Sequence, residues 1–320
     1  MNKLLRHALA ILAFAPLSAT AADTAPAPQP AKPITVGFAQ TGAESAWRVA
    51  NTGSLKDEAD KRGINLKFVD GQSKQENQLR AVRSFISQHV DAIVIAPIVE
   101  TGWDLVLRDA KRANIPVIIM DRTVQAPDDL YTCYIGSDFY EEGRMAIDWI
   151  AQHAGDRVKI VEIQGEPGSA AANERHKAFV DALVKYPQFK VIDAQTANFR
   201  LAEGKQVMEA LLKKHNNDIQ IVFAHNDDMA LGALQAIEEA GLKPGKDIMV
   251  VSIDATKAGI QAVADGRMNC VVECNPMYGP KIYDTIDKIL KGESVPKKSY
   301  NKDQLFDATN AAAALPTRQY

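Results

Sequence analysis

The chain has 320 residues, of which 46% are hydrophobic and 24% are charged, and its formal net charge is −3. This balance is typical of a folded globular protein of about two domains, and it excludes a disordered or collagen-like chain. A chain without a basic excess is not suited to binding nucleic acid, and three cysteines are too few for a disulfide scaffold.

The first 22 residues are typical of a secretory signal peptide. Lys3 and Arg6 form a basic segment, an uncharged apolar stretch follows at 8–15, and the Ala-Thr-Ala sequence at 19–21 provides small residues for cleavage. The apolar stretch is far shorter than the roughly 20 residues that span a bilayer. A frayed apolar helix is the alternative interpretation.

Residues 23–33 are rich in Ala and Pro, which predicts a flexible leader that cannot pack a core. A signal peptide followed by a body without a second apolar segment indicates export. We therefore expect a protein that does not span the membrane and that lies in the periplasm, on the assumption of a Gram-negative host.

From residue 34 onward, short apolar runs alternate with amphipathic stretches such as 75–89, in which Leu79, Val82, Phe85 and Ile86 fall on one face. This alternation predicts parallel sheets with helices on both faces, divided near Gly136 into two doubly wound lobes. The predicted strands are 34–39, 65–70, 92–96, 116–121, 131–136, 158–163, 189–195, 219–224, 247–254 and 268–273.

Ligands of such sheets bind at the carboxyl ends of the strands, where this chain carries many polar residues. A neutral polyol suits them, because each sugar hydroxyl both donates and accepts hydrogen bonds, while an aromatic ring can pack on the apolar face of the sugar. The strand-end residues are 40–48, Asp121 and Arg122, Gln164 and Gly165, Asn198 and Phe199, 225–228, Asp254 and Glu273.

Several of these residues have a structural alternative. Asp121 and Arg122 could form a surface ion pair, and Trp47 could pack in the core. We expect Asp227 to be the N-cap of a following helix, with Asn226 facing the cleft, and His225 to be a packing residue.

The cysteines are expected to be buried free thiols. Cys270 and Cys274 are four residues apart in a predicted strand, which separates their Cα atoms by roughly 13 Å, too far for a disulfide. A bridge from Cys133 to one of them stays open if the strands are neighbours.

The sequence resembles the ribose-type sugar-binding proteins of bacterial ABC importers over nearly the whole chain from about residue 34. Glu-Ser-x-Trp-Arg within the first segment is the most specific part of the resemblance. The similar segments are 36–48 (VGFAQTGAESAWR), 59–97, 101–122, 224–248 and 271–280.

The resemblance implies a type I periplasmic binding protein, with two lobes joined by a three-stranded hinge. It implies a first lobe of 34–137 plus 274–301 and a second lobe of 138–273 plus 302–320. The ligand-binding residues that it implies are Glu44, Ser45, Ala46, Trp47, Arg48, Asp121 and Arg122 from the first lobe, Arg175, Asn226 and Asp254 from the second, Phe199 at a stacking position and Glu273 at a hinge position.

Two departures from the family pattern bear on the ligand and on the backbone. Asn173 stands where ribose binders often carry Arg, which counts against ribose as the ligand. The usual Asp-Gly after a late strand is Asp254-Ala255 here, so a turn that favours Gly must tolerate Ala.

The resemblance implies a monomeric periplasmic binding protein for a monosaccharide, with galactofuranose the favoured sugar, that delivers its ligand to an ABC permease in the inner membrane. No enzymatic activity, cofactor, metal or nucleic acid is expected. The alternatives are a periplasmic sugar sensor that reports to a membrane receptor and a carbohydrate-active enzyme. The core of a transcription repressor has a similar fold, but it would begin with a helix-turn-helix.

Overall fold

The computed structural model describes residues 33–156 and 158–320. The predicted signal peptide, and the leader up to residue 32, lie outside the described residues. No helix in the described ranges is both long enough and apolar enough to cross a membrane.

The first lobe is built on a six-stranded sheet in which every neighbouring pair is parallel. Its strands are β1 (Thr35–Gln40), β2 (Asn65–Asp70), β3 (Ala92–Ile95), β4 (Val117–Met120), β5 (Cys133–Gly136) and β11 (Lys298–Tyr300), and their order is β11-β5-β4-β3-β1-β2. The residues of β3, β4 and β5 are all buried, because helices cover both faces of the sheet.

The second lobe repeats this plan, with one antiparallel strand at the edge of its sheet. Its strands are β6 (Val158–Gln164), β7 (Phe189–Thr196), β8 (Ile221–Ala224), β9 (Met249–Asp254), β10 (Cys270–Glu273) and β12 (Leu305–Asp307), in the order β12-β10-β9-β8-β6-β7. The prediction of two doubly wound lobes is therefore confirmed.

Helices connect the strands in both lobes. They are α1 (Ala46–Arg62), α2 (Gln75–Ser87), α3 (Asp104–Arg112), α4 (Phe139–His153), α5 (Ala170–Leu183), α6 (Leu201–Lys214), α7 (Asp227–Glu239), α8 (Lys257–Ala264), α9 (Gly279–Leu290) and the single turn α10 (Ala311–Ala314). Helix α1 shows how local sequence sets the ends: Ser45 caps its first turn through a bond from the Arg48 amide, and Gly63 ends it at φ 66°.

The chain passes between the two sheets three times. The passages lie between β5 and α4, between β10 and α9, and between β11 and β12. After the first, α4 packs on α5 of the second lobe, and after the second, α9 packs back on α1 of the first.

The ten predicted strands are all present, with ends that differ by at most two residues. The strands β11 and β12 were not predicted, because each has three residues and their partly exposed pattern gives no apolar run.

Candidate functional site

A cavity lies between the lobes, at the carboxyl ends of the strands. Ten of the twelve residues that were expected to bind ligand line it. The lining residues are Glu44, Ser45, Trp47, Arg48, Asp121, Arg122, Phe139, Ala171, Arg175, Phe199, Asn226, Asp254 and Cys274.

Four charged side chains of the first lobe form one buried cluster, Glu44, Arg48, Asp121 and Arg122, called the first-lobe cluster below. Arg48 Nη1 lies 2.7 Å from Asp121 Oδ2, and Arg48 Nε donates to Glu44 Oε1 at 3.1 Å. Arg122 donates to the Ile98 carbonyl oxygen at 3.1 Å and lies 3.7 Å from Glu44. These residues are not a surface ion pair, since each side chain is at most 7% exposed.

Burial and mutual charge determine the pKa values in this cluster. Burial opposes ionisation of Glu44, but Arg48 and Arg122 lower its pKa below the ordinary value. Burial would lower the pKa of Arg48, and the carboxylates of Asp121 and Glu44 raise it instead. The pKa of Arg122 is lowered by burial and by the neighbouring Arg48.

Three atoms of the cluster are buried without a hydrogen-bond partner among the described residues, Glu44 Oε2, Asp121 Oδ2 and Arg122 Nε. A buried polar atom without a partner costs free energy, so such atoms in a cavity wall are matched to polar groups of a ligand. Two of these atoms are acceptors and one is a donor, and the hydroxyl groups of a ligand can satisfy both kinds.

Arg175 and Asp254 line the cavity from the second lobe. Arg175 Nε donates to Glu142 Oε2 at 2.8 Å, and Arg175 Nη1 donates to the His225 carbonyl oxygen at 2.5 Å. Arg175 Nη2 lies 4.0 Å from Asp254 Oδ1, too far for a hydrogen bond. Burial raises the pKa of Asp254 well above its ordinary value, and the positive charge of Arg175 offsets only part of this effect.

Asn226 also lines the cavity, and it is the N-cap of α7. Its side-chain oxygen accepts from the Met229 amide at 3.0 Å, and its Nδ2 donates to the Phe199 carbonyl oxygen at 3.3 Å. The prediction that Asp227 is the N-cap is wrong, because the carboxylate of Asp227 instead accepts from Ser252 and from Thr256 in the core.

Three aromatic rings line the cavity. The guanidinium of Arg122 lies 5.1 Å from the ring centre of Phe199, and that of Arg175 lies 5.2 Å from that of Phe139. Trp47 lies in the cavity wall and not solely in the core. Its indole Nε1 donates to a carbonyl oxygen at 2.5 Å, so this N–H is not free for a hydroxyl. The acceptor belongs to Cys274, in the passage between β10 and α9.

Two residues that were expected to bind ligand do not line the cavity. The Ala46 amide donates to the carboxylate of Asp228 at 3.2 Å. Glu273 lies at a strand end, but its Oε1 accepts from Arg318 Nη1 at 2.5 Å and from the Tyr320 hydroxyl at 3.1 Å. Residues of the C-terminal segment therefore donate hydrogen bonds to the carboxylate that was expected to face a ligand.

Three lining residues were not predicted, Phe139, Ala171 and Cys274. Phe139 and Ala171 stand in the first turns of α4 and α5, and Cys274 follows the last residue of β10. A search for polar residues at strand ends passes over all three because they are apolar. The position of Phe139, just after the first passage between sheets, is the signal that could have indicated it.

The buried residues around the cavity also settle the questions about cysteine and histidine. All three cysteines are free and buried, as expected, and burial raises the pKa of the Cys133 thiol to about 11. His225 is buried, as expected of a packing residue, but its Nε2 is also hydrogen-bonded to Glu162 Oε1 at 2.8 Å.

The backbone is left-handed at two strand ends in the cavity. Asp121 has a φ of 64°, Asp254 a φ of 131° and Ala255 a φ of 58°. The turn that was expected to favour Gly thus has a left-handed conformation with Ala at position 255, against the steric preference of a side chain.

The two lobes touch each other around the rim of the cavity. Asn173 Nδ2 donates to Glu100 Oε2 at 2.7 Å, and the Glu100 amide donates to the Gly168 carbonyl oxygen at 3.0 Å. On the other side Arg200 Nη2 donates to Ser73 Oγ at 3.2 Å. With the Ala46 to Asp228 bond, these contacts describe a closed arrangement of the lobes.

Residues 36–294 match the family described as periplasmic binding protein domain. The galactofuranose-binding protein YtfQ of Escherichia coli (strain K12) is 47% identical over 294 residues, which cover 90% of this chain and 92% of that protein.

Two solved structures are similar over nearly their whole length. A Mycobacterium smegmatis protein in complex with β-D-fucofuranose is 50% identical at a TM-score of 0.86, covering 90% of this chain and 95% of its own. The periplasmic binding protein of the arabinose ABC transporter of Shewanella sp. ANA-3, bound to α- and β-L-arabinofuranose, is 48% identical at a TM-score of 0.86, covering 89% and 95%. The chain is therefore a member of the periplasmic binding protein family, with the type I fold.

Proposed function

We propose that the protein is the periplasmic solute-binding component of an ABC sugar importer, and that it binds a monosaccharide in furanose form. The observation that carries this proposal is the mixture of buried carboxyl and guanidinium groups in the cavity. Three carboxyl groups, Glu44, Asp121 and Asp254, line it together with three guanidiniums, Arg48, Arg122 and Arg175. Carboxyl acceptors beside guanidinium donors suit a neutral ligand with many hydroxyls, because each hydroxyl both accepts and donates.

The names of the relatives narrow the choice of ligand. The ligands in the names of the three relatives are galactofuranose, fucofuranose and arabinofuranose, which share a five-membered ring. Galactofuranose is our first candidate for this chain.

The mechanism that we propose is closure of the lobes on the sugar, without catalysis and without a cofactor. Both lobes contribute charged groups to the cavity, so only the closed form makes all contacts, and the ligand shifts the population toward it. We propose that the two lobes comprise residues 34–137 plus 274–301 and residues 138–273 plus 302–320. They move relative to each other around a hinge of three strands. The protein would act as a monomer that presents its closed form to an ABC permease.

A sugar panel tests the proposal. Thermal unfolding and calorimetry are measured with D-galactose, D-fucose, L-arabinose, D-ribose and methyl β-D-galactopyranoside, whose ring is locked as a pyranose. We expect the first three sugars to stabilise the protein, by about 2.7 kcal/mol at 100 times Kd, and the locked pyranoside to have no effect.

Matched variants show whether binding occurs in the cavity. Arg122→Ala should abolish the stabilisation by sugar, whereas Arg144→Ala, an exposed arginine of α4, should keep it. Sugar recovered unchanged after incubation is expected of a binding protein and excludes the alternative of a carbohydrate-active enzyme. Absence of a response to every sugar of the panel would refute the proposed function.

A further inference from the structure

Glu142 lies behind the cavity wall and was not among the residues expected to bind ligand. It is in the first turn of α4, where its side chain is 1% exposed. Its Oε2 lies 2.8 Å from both Nε and Nη2 of Arg175. A single carboxylate oxygen therefore accepts a hydrogen bond from Nε and forms an ion pair with Nη2 of a guanidinium that lines the cavity.

Arg175 is the main polar partner of this carboxyl group among the described residues, and the Cys274 thiol is a second polar neighbour. The other oxygen, Oε1, is buried there without a hydrogen-bond partner. Burial raises the pKa of Glu142 to about 8, although Arg175 lowers it. A buried carboxyl group is costly, and replacement of such a pair by apolar residues is often neutral or stabilising, so fold stability alone gives weak reason for it.

Close packing of two helices brings the pair together. Gly143 follows Glu142 on α4, and a Cβ at this position would lie 2.8 Å from the Arg175 carbonyl oxygen and 2.9 Å from Ala178 Cβ on α5. The absence of a side chain at Gly143 lets the two helices approach until Glu142 reaches the guanidinium.

The orientation of Arg175 is fixed from two sides. Glu142 accepts a hydrogen bond from Nε and pairs with the charge at Nη2, and the His225 carbonyl oxygen accepts from Nη1. A guanidinium has five N–H groups, so Nη2 keeps a second N–H, and the gap of 4.0 Å to Asp254 Oδ1 is wide for a direct bond. A ligand hydroxyl placed there would reach Arg175 and Asp254 together.

We propose that Glu142 is a positioning residue for sugar binding, which holds Arg175 so that one N–H of the guanidinium meets a ligand hydroxyl beside Asp254. The inference rests on the proposed function. It assigns part of the affinity to a residue that does not touch the ligand.

A double-mutant cycle tests the inference with D-galactose as the probe in calorimetry. Glu142→Ala should weaken binding roughly 10- to 100-fold, the loss expected when a charged hydrogen-bond donor is misplaced. Arg175→Ala should weaken binding at least as much, and the double variant should be no weaker than Arg175→Ala alone. Glu142→Gln keeps an acceptor oxygen for the guanidinium and should bind within about threefold of the wild type.

The matched control is Glu141→Ala, which removes an exposed carboxylate from the same helix and should leave the affinity unchanged. If Glu142→Ala does not fold, Glu142→Met, which fills a similar volume without an acceptor, takes its place in the cycle. Unchanged affinity in Glu142→Ala, or losses that multiply in the double variant, would overturn the inference and leave the proposed function intact. A wild-type protein that binds no sugar would overturn both.

Discussion

Replacement of Asp121 by asparagine tests the role of the first-lobe cluster most directly. Asp121 is 3% exposed, and its Oδ2 lies 2.7 Å from Arg48 Nη1. Asparagine removes the charge and keeps the shape, and it tolerates the left-handed φ of 64° better than most residues do. The substitution therefore changes the electrostatics of the cavity with little change in the backbone.

The expected loss follows from the burial of the cluster. Without the charge of Asp121, the guanidiniums of Arg48 and Arg122 keep Glu44 as the remaining carboxylate of the first-lobe cluster. Truncation of one partner of a buried charge pair costs about 2–5 kcal/mol in binding. We therefore expect Asp121→Asn to weaken sugar binding roughly 30-fold or more.

Calorimetry measures the affinity, and urea unfolding without sugar measures the stability. Asp121→Ala should lose similar affinity and also about 1–2 kcal/mol of stability, since alanine is strained at φ 64°. Asn114→Ala is the matched control, because Asn114 is exposed in the first lobe at φ 56° and lies outside the cavity wall. It should lose stability alone. Wild-type affinity in Asp121→Asn would refute the role of the cluster.

Three further outcomes are expected. Trp47→Phe should remove most of the sugar-induced change in tryptophan emission, whereas Trp103→Phe, in the core of the first lobe, should keep it. The reverse result would mean that the tryptophan whose emission responds to sugar lies outside the cavity. Asp228→Ala removes the acceptor of the Ala46 amide across the cleft, so calorimetry should show roughly 2- to 10-fold weaker sugar binding. Wild-type affinity, together with normal closure in small-angle X-ray scattering, would contradict this. Burial opposes ionisation of Glu162, but hydrogen bonds from two histidines lower its pKa to about 2, so between about pH 4 and pH 2 the unfolded chain binds more protons and stability falls with acid. Urea midpoints of Glu162→Gln should depend less steeply on pH in that window, and an equal slope would exclude this carboxyl as the cause.

The sequence was sufficient to predict the strands and most of the cavity wall, for a physical reason. A strand that is buried on both faces must be apolar along its whole length, so each central strand is visible as a run, and the residue that follows it marks the ligand side of the sheet. Asp121, Arg122 and Asp254 were found in this way, and all three line the cavity.

The remaining features depend on contacts between distant parts of the chain. Glu142 follows another glutamate on an amphipathic helix, so its sequence is that of a solvated face until α5 packs against it. Glu273 satisfies the strand-end rule, but Arg318, 45 residues later, takes its carboxylate. The identity of the partner is set by the tertiary fold in both cases, and local pattern carries no information about it.

The contacts around the rim of the cavity have a consequence for the kinetics of ligand release. The side chains of Arg48, Asp121 and Arg175 are at most 4% exposed, so a sugar among them has no exit while the lobes touch. Opening must precede dissociation, and the opening rate sets an upper limit on the off-rate whatever the sugar. Weakly and tightly bound sugars would then differ in the fraction of openings during which the sugar dissociates. A transporter that pulls the two lobes apart at the rim would release both kinds of sugar at a similar rate.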